Sequence, residues 1–175
     1  NGIKYYTTTL YRDIIVYTGV GNEVIIGIAT TIPSQYGVLG EGEDVAIYDI
    51  LSTVGQLTNV SRVYIFENNE DNTTCSNTYE WCNEGISPEI DNLQNISYET
   101  DIPNYEANFD EYGIFYCPDV EEQPQHIREI LEPQGIKSML QCSILDNGVF
   151  RGYVGFDECS VQRLWTQDQV NLLQF

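Results

Sequence analysis

Residues 138–156 read SMLQCSILDNGVFRGYVGF, and this stretch decides how the chain folds. Two segments rich in strand-forming residues, 138–145 and 149–156, flank the tripeptide Asp146-Asn147-Gly148. Asn-Gly pairs favour tight hairpin turns because both central residues tolerate positive φ angles. The stretch therefore predicts two antiparallel strands joined by a short turn.

A second hairpin is predicted nearer the N-terminus. Residues 62–67 form a compact apolar strand, residues 68–72 a polar turn, and residues 73–83 a second strand. A brief strand over 113–117 adds to the same sheet. Between these strands, residues 86–112 are polar and contain two prolines, which favours short helices or an ordered loop.

Helical patterns flank the strands. Asp44 fits the N-cap of a helix over 45–57, and residues 125–134 form a short helix with Gly135 just past its end. Residues 166–169, Thr-Gln-Asp-Gln, form a capping box that opens a last helix. The inward-facing residues of the three helices are Ala46, Ile47, Ile50, Leu51 and Val54; Ile127, Ile130 and Leu131; and Val170, Leu172 and Leu173.

The first 40 residues differ from the rest. Residues 1–13 favour a strand or an extended arm, and the dense apolar run over 24–34 predicts a short helix. We therefore divide the chain into an N-terminal arm, linker and helix over 1–40 and a domain over 41–175. The order of elements predicts an α+β fold, with a central five- to six-stranded antiparallel sheet and helices on both faces.

Composition excludes several classes of function. The chain has 175 residues, with 27 acidic against 7 basic side chains and a net charge of −20. Such a surface repels phosphate backbones and anionic lipids, which disfavours binding to nucleic acids or to membrane surfaces. The most apolar stretch, 14–32, is interrupted by Asn22, Glu23 and glycines, so it is not a transmembrane helix.

The cysteines indicate a reducing compartment. The five cysteines are 7, 35, 25 and 17 residues apart, without a CxxC pair, and the chain has one histidine, so no metal site is expected. Buried thiols in the cytoplasm explain this pattern. A secreted, acidic, β-rich binding protein is the alternative, because Asn59, Asn72 and Asn95 begin glycosylation sequons.

Several segments together resemble a subgroup of GAF domains. They are SRVYIFE (61–67), TCSNTYEWC (74–82), and residues 84–86, 90–94, 134–138, 152–157 and 165–173. The resemblance covers residues 43–175 and implies a non-catalytic, cytoplasmic regulatory domain that precedes a histidine-kinase, diguanylate-cyclase or phosphodiesterase output in the same chain. It also implies a homodimer that transmits a signal through its terminal helices. Residues 1–14 are similar to the last strand and exit of a PAS domain.

The resemblance implies that a ligand, when present, lies between one sheet face and residues 86–112, which we call the irregular segment. Strand alternation places Asn77, Tyr79 and Trp81 on one face, and this face mixes aromatic walls with hydrogen-bonding groups. The alternative is that these aromatic residues only pack beneath the loop. The predicted ligand-binding residues are Asn77, Tyr79, Trp81, Tyr105, Phe115, Met139 and Gln141.

Known GAF ligand signatures are missing. Gln125 precedes His126, where bilin-binding GAF domains carry a Cys-His pair, and a lone His at a helix start favours an exposed residue over a haem ligand. Residues 108–111 and 156–158 lack the lysine and the spacing of the cyclic-nucleotide signature. We therefore predict no catalytic, cofactor-binding or metal-binding residues, and either an unknown small-molecule ligand or a ligand-free dimerisation module.

A redox function is the remaining alternative. Some proteins of the GAF fold reduce methionine sulfoxide with cysteines, and Cys75, Cys82 and Cys117 suggest this chemistry here. No serine or cysteine lies in a nucleophile-elbow pattern, and no phosphate-binding glycine loop is present in the sequence.

Overall fold

The computed structural model describes residues 6–11, 14–18, 24–28, 43–166 and 170, with side chains from residue 47 onward. The N-terminal part forms a three-stranded antiparallel sheet of β1 (Tyr6–Tyr11), β2 (Ile14–Thr18) and β3 (Val24–Ile28). The helix predicted over 24–34 is therefore wrong for 24–28, because the β-branched residues there favour a strand. Residues 29–34 lie outside the described residues.

Helix α1 spans Glu43–Thr58. It begins two residues earlier than predicted, so Asp44 lies in the first turn and not at the N-cap. Leu51 and Val54 are buried, and Ile47 and Ile50 pack against the same core, as the apolar spacing predicts.

The second sheet has six antiparallel strands in the order β6-β5-β4-β9-β8-β7. The two predicted hairpins, β4–β5 and β8–β9, are both present, and β4 and β9 join them at the centre. Asn147 and Gly148 have φ angles of 51° and 78°, which is the type I′ geometry expected of this turn. The strands are β4 (Arg62–Asn68), β5 (Thr74–Cys82), β6 (Ile96–Ser97), β7 (Ile114–Cys117), β8 (Ser138–Asp146) and β9 (Val149–Glu158).

The irregular segment and the second helix cover the sheet. Helix α2 spans Gln125–Leu131 and continues as a 3₁₀ turn to Gln134, after which Gly135 takes a left-handed conformation, as predicted. Three other 3₁₀ turns lie at Ile90–Asn92, Tyr105–Asn108 and Val120–Glu122. Of the predicted last helix, Val170 is helical and its N–H donates to the Thr166 carbonyl at 3.0 Å; residues 167–169 and 171–175, with Leu172 and Leu173, lie outside the described residues.

Each face of the six-stranded sheet has its own core. On one face, α1 packs on Val63, Ile65 and Phe156. On the other face, α2 and the irregular segment pack on a core that includes Phe66, Met139 and Tyr153. The predicted α+β fold, with one antiparallel sheet and helices on both faces, is confirmed. We call these the α1 face and the α2 face.

Candidate functional site

A β-bulge in β5 decides which side chains reach the α2 face. Ile65 pairs with Tyr79, whereas the next residue, Phe66, pairs with Asn77, so Thr78 is the extra residue on β5. Asn77 and Tyr79 therefore point to opposite faces, although they are two residues apart. The expectation that Asn77, Tyr79 and Trp81 share a face is wrong for this reason.

The structure divides the seven predicted ligand-binding residues into three groups. Asn77, Tyr105 and Gln141 line a cavity on the α2 face. Phe115 and Met139 belong to the core of the same face but do not line the cavity. Trp81 is buried on the α1 face, and Tyr79 packs against the same core, so the aromatic wall that was predicted from these two residues is absent from the cavity.

The cavity lies between the α2 face and the elements that cover it. The volume open to water is about 20 Å³, which is room for one water-sized molecule. Tyr64 and Phe66 of β4 form part of its floor, and Leu93 of the irregular segment and Ile130 of α2 lie among the covering residues.

A chain of buried hydrogen bonds crosses the cavity wall. The Tyr105 hydroxyl donates to Gln141 Oε1 at 2.9 Å, and Gln141 Nε2 donates to the Tyr64 hydroxyl at 2.9 Å. The Tyr64 hydroxyl in turn donates to Asp157 Oδ1 at 2.8 Å, and Arg62 Nε donates to Asp157 Oδ2 at 3.1 Å. Four side chains of strands β4, β8 and β9 are thereby connected to a tyrosine of the irregular segment.

Arg62 extends this connection to the other covering elements. Its Nη2 donates to the Gln134 carbonyl at 2.9 Å, just after α2, and its Nη1 donates to the Ser87 carbonyl at 3.4 Å. Glu89 Oε1 lies 3.8 Å from Nη1. Arg62 and Asp157 are each 1% exposed, so this is a buried ion pair whose donors and acceptors are matched by further partners.

Burial also changes the acid–base properties of these groups. It raises the pKa of Asp157 from 3.8 to about 6, although the Arg62 guanidinium acts in the opposite direction. Burial acts to lower the pKa of Arg62, but the neighbouring charges, Asp157 first, raise it above its ordinary value. Burial raises the pKa of Tyr64 well above its usual range, so the phenol stays protonated and donates its hydrogen bond.

Asn77 lines the cavity and carries an unpaired acceptor. Its Nδ2 donates to Glu80 Oε1 at 3.2 Å, and Glu80 Oε2 accepts the backbone N–H groups of Glu89 at 2.9 Å and Ile90 at 3.1 Å. Asn77 Oδ1 accepts no hydrogen bond from any residue that the structure describes. Buried acceptors are rarely left unpaired, and such exceptions indicate a missing partner or a functional role.

Sequence reasoning missed Arg62, Asp157 and Glu80 as members of the site. Arg62 directly precedes the apolar run of β4 and Asp157 directly follows that of β9, and opposite charges in these positions could have identified them as a buried pair. Glu80 was assigned to the opposite face, because the bulge at Thr78 was not anticipated.

The cysteines are free thiols, and the pKa of each is raised. Burial raises the pKa of Cys117 to about 11 and those of Cys82 and Cys142 to about 12. Burial likewise raises the pKa values of Cys75 and Cys159. Reactive cysteines are instead activated by a lowered pKa, so this arrangement disfavours the thiol-redox alternative.

Other kinds of site find little support in the described residues. His126 is exposed at the start of α2 and does not line the cavity, as the sequence indicates. The described residues contain no group of three or more His, Cys, Asp or Glu side chains placed to hold a metal ion. No helix in the described part of the chain has the length and apolar character that a membrane crossing requires.

Comparison with known proteins identifies the family to which this chain belongs. The GAF domain family matches residues 43–175, so the chain belongs to the GAF domain family. The methanogenesis regulatory histidine kinase FilI of Methanothrix harundinacea (strain 6Ac) is 33% identical over 135 residues, which is 75% of this chain. The chain spans 15% of the length of that kinase.

Solved structures support the fold. The phycocyanobilin-bound GAF domain of a cyanobacterial phytochrome matches with a TM-score of 0.62 and 17% identity, over 75% of this chain and 78% of that one. The blue-light-absorbing form of the Thermosynechococcus elongatus PixJ GAF domain matches with a TM-score of 0.61 and 14% identity, over 78% and 83%. At these identities the similarity establishes the shared fold.

Proposed function

We propose that this chain is the sensory domain of a longer histidine-kinase-type regulator, that it has no catalytic activity of its own, and that it binds a small molecule in the cavity of the α2 face. Its similarity to a histidine kinase over 75% of the chain supports the regulatory context. The five free thiols fit a cytoplasmic location, where reducing conditions keep cysteines unpaired.

The hydrogen-bonded chain from Tyr105 to Arg62 is the observation that carries this proposal. It joins the irregular segment to the central strands, and Arg62 continues it to the end of α2. A molecule that pairs with Asn77 Oδ1 contacts the wall of the same cavity. Its binding energy can therefore bias the position of the covering elements, which is what population shift by a ligand requires.

The ligand is held without a covalent bond. No cysteine or histidine is among the described residues that line the cavity, so a chromophore linked through cysteine is not expected. Because the cavity accepts one water-sized molecule as it stands, a larger ligand requires outward movement of Leu93 and Ile130.

A thermal-denaturation screen of the 175-residue chain against a metabolite panel tests this proposal. A specific ligand at 100 times its Kd stabilises the native state by about 2.7 kcal/mol, so at least one compound should raise Tm. The same compound should change autophosphorylation of the full-length kinase. A panel that leaves Tm unchanged, together with an unaffected kinase, would count against ligand sensing.

We also propose that two copies of the chain associate through α1 and the segment that follows β9. Leu57 near the C-terminal end of α1 is 61% exposed, and Leu164, which follows the Arg163 that donates to the Thr58 carbonyl, is 79% exposed. Large exposed apolar side chains on neighbouring elements fit an isologous contact between two copies. Leu51, which the sequence predicts to face inward, is buried in the core.

A further inference from the structure

Donors and acceptors are unequally available around the cavity of the α2 face. The hydroxyl hydrogens of Tyr64 and Tyr105 are already donated, to Asp157 and Gln141. Asn77 is 1% exposed, yet its Oδ1 has no donor among the described residues. An acceptor of the cavity wall is therefore left without a donor, and a ligand that donates hydrogen bonds fits this wall better than one that accepts them.

The orientation of the Asn77 amide follows from its chemistry. One of the two terminal atoms of the Asn77 side chain, assigned as Nδ2, lies 3.2 Å from Glu80 Oε1. A carboxylate oxygen requires a hydrogen-bond donor at that distance. The nitrogen must face Glu80, since a flipped amide would place two acceptors together. The oxygen is consequently the atom left for a ligand.

The charged side chains that line the cavity are acidic. Glu80 and Asp157 line the cavity, and none of its lining residues in the described part of the chain is Lys, Arg or His. Arg62 lies beside Asp157 but outside the lining, and its donors are directed to Asp157, Gln134 and Ser87. A cationic ligand would compensate the charge that remains on Glu80.

The rest of the wall is aromatic or aliphatic. Phe66 and Tyr64 present rings from β4, and Tyr105 presents one from the irregular segment. Aromatic faces attract compact organic cations, and Leu93 and Ile130 offer contacts to a short alkyl group.

The geometry points to a compact ammonium-type cation, either ammonium itself or a short primary alkylammonium, as the ligand of this cavity. The inference rests on the proposed function, because it names the chemical class of the ligand that the cavity binds. The N–H groups of the cation donate to Asn77 Oδ1 and to the carboxylates of the wall, and any alkyl group points toward Leu93 and Ile130.

Titration of the ¹⁵N-labelled 175-residue chain followed by NMR tests this inference. Methylammonium chloride should shift the side-chain amide signals of Asn77 saturably, whereas sodium chloride at the same ionic strength should not. Methanol is nearly isosteric with methylammonium but uncharged, and it should bind about tenfold more weakly or worse because the charge-assisted contacts are lost. Ammonium and ethylammonium titrations then show which cation of this class binds best.

A pair of variants locates the binding. Glu80→Gln removes a charge from the cavity wall and should weaken methylammonium binding by about tenfold or more. Glu84→Gln removes the same charge at an exposed position and should leave binding unchanged. Equal affinity in both variants would overturn the inference, as would equal responses of the unmodified chain to methylammonium and methanol, a comparison that needs no variant.

The result also separates this inference from the proposed function. If a compound outside this class binds in the cavity and neither ammonium nor methylammonium does, the ligand class is wrong and sensing by the domain stands. If neither ammonium, methylammonium nor any compound of the metabolite panel binds, both proposals fail.

Discussion

Arg62 and Asp157 form an ion pair that is almost completely closed to solvent, and such pairs contribute to stability only when every remaining donor and acceptor is matched. Here the matching groups come from Tyr64, Gln134 and Ser87. Removing Arg62 should be costly because it leaves the buried Asp157 carboxylate without compensation. These residues therefore hold the cavity wall in one arrangement.

The pKa of Asp157 gives a prediction for pH dependence. Because burial raises this pKa from 3.8 to about 6, folding favours the protonated carboxyl. The stability that this group contributes is fully present below about pH 4 and is lost as pH rises through about 6, an effect of about 3 kcal/mol. The free energy of unfolding, measured with urea, should therefore fall by this amount between pH 4 and 7 in the unmodified chain but not in Asp157→Asn. If the free energies of the two proteins change in parallel with pH, the assignment to Asp157 is contradicted.

Tyr105 tests the outer end of the hydrogen-bonded chain. Tyr105→Phe removes the donor to Gln141 Oε1 and should lower the free energy of unfolding by about 1–2 kcal/mol, since a buried acceptor loses its partner. Tyr112→Phe removes the same hydroxyl from a side chain that is 70% exposed and should have almost no effect. Urea denaturation of the two variants makes the comparison, and equal losses would argue against a structural role for the hydroxyl of Tyr105.

At the scale of elements, two contacts besides the apolar core hold α1 in place. The Trp81 ring of β5 packs directly on the helix backbone at Gly55, where a Cβ atom would collide with it. Beyond β9, Arg163 donates to the carbonyls of Thr58 at 2.6 Å and Asn59 at 3.2 Å, at the C-terminal end of α1. The Arg163 guanidinium also lies 4.6 Å from the ring centroid of Trp165.

Gly55→Ala should destabilise the domain. A glycine-to-alanine change inside a helix ordinarily stabilises it by about 1 kcal/mol, but here the added methyl group displaces Trp81, at a cost of about 1–3 kcal/mol or more. Gln56→Ala, at an exposed position of the same helix, is the matched control. A rise in Tm for Gly55→Ala would show that Trp81 does not pack on the helix as described.

Arg163→Ala should loosen the C-terminal end of α1. It removes two hydrogen bonds to terminal carbonyls and a cation–π contact, so a loss of about 1–2 kcal/mol is expected. The control is Arg128→Ala, whose exposed pair with Glu132 is expected to contribute about 0.5 kcal/mol or less. Hydrogen exchange of the last turn of α1 gives the readout; unchanged protection in Arg163→Ala would refute this link.

The elements could largely be predicted from the sequence, because strong local signals mark them. The Asn147-Gly148 turn, the polar turn after β4 and Gly135 after α2 each require a special backbone conformation that few residues adopt. The bulge at Thr78 has no such residue, so the faces of Tyr79 and Trp81 were predicted wrongly. The apolar run over 24–28 is continuous, so its hydrophobic periodicity does not distinguish a helix from a strand.

The site was less predictable than the fold, because it depends on contacts between distant residues. Tyr105 and Gln141 were expected to lie near a ligand, and they do meet in the wall of the cavity. The ion pair of Arg62 and Asp157 joins residues 95 positions apart, and the unpaired Asn77 oxygen depends on packing of the whole α2 face. Ligand binding by these residues stays a prediction.

At the scale of the whole molecule, the association of two copies can be tested by light scattering after size-exclusion chromatography. The chain should be a dimer, and Leu57→Glu should make it a folded monomer, because this side chain is 61% exposed. Gln56→Glu introduces the same charge on the polar side of α1 and should leave the dimer intact. Monomeric unmodified protein at high concentration would contradict the proposed contact.

The central claim is that the cavity of the α2 face binds a small molecule, and native mass spectrometry tests it most directly. The 175-residue chain, incubated with the small-molecule extract of its native cells, should give a one-to-one noncovalent complex with a defined mass increment. Glu84→Gln should keep that increment, and Glu80→Gln, in the cavity wall, should lose or weaken it. Protein without any bound mass, or an increment that is equal in both variants, would contradict the account.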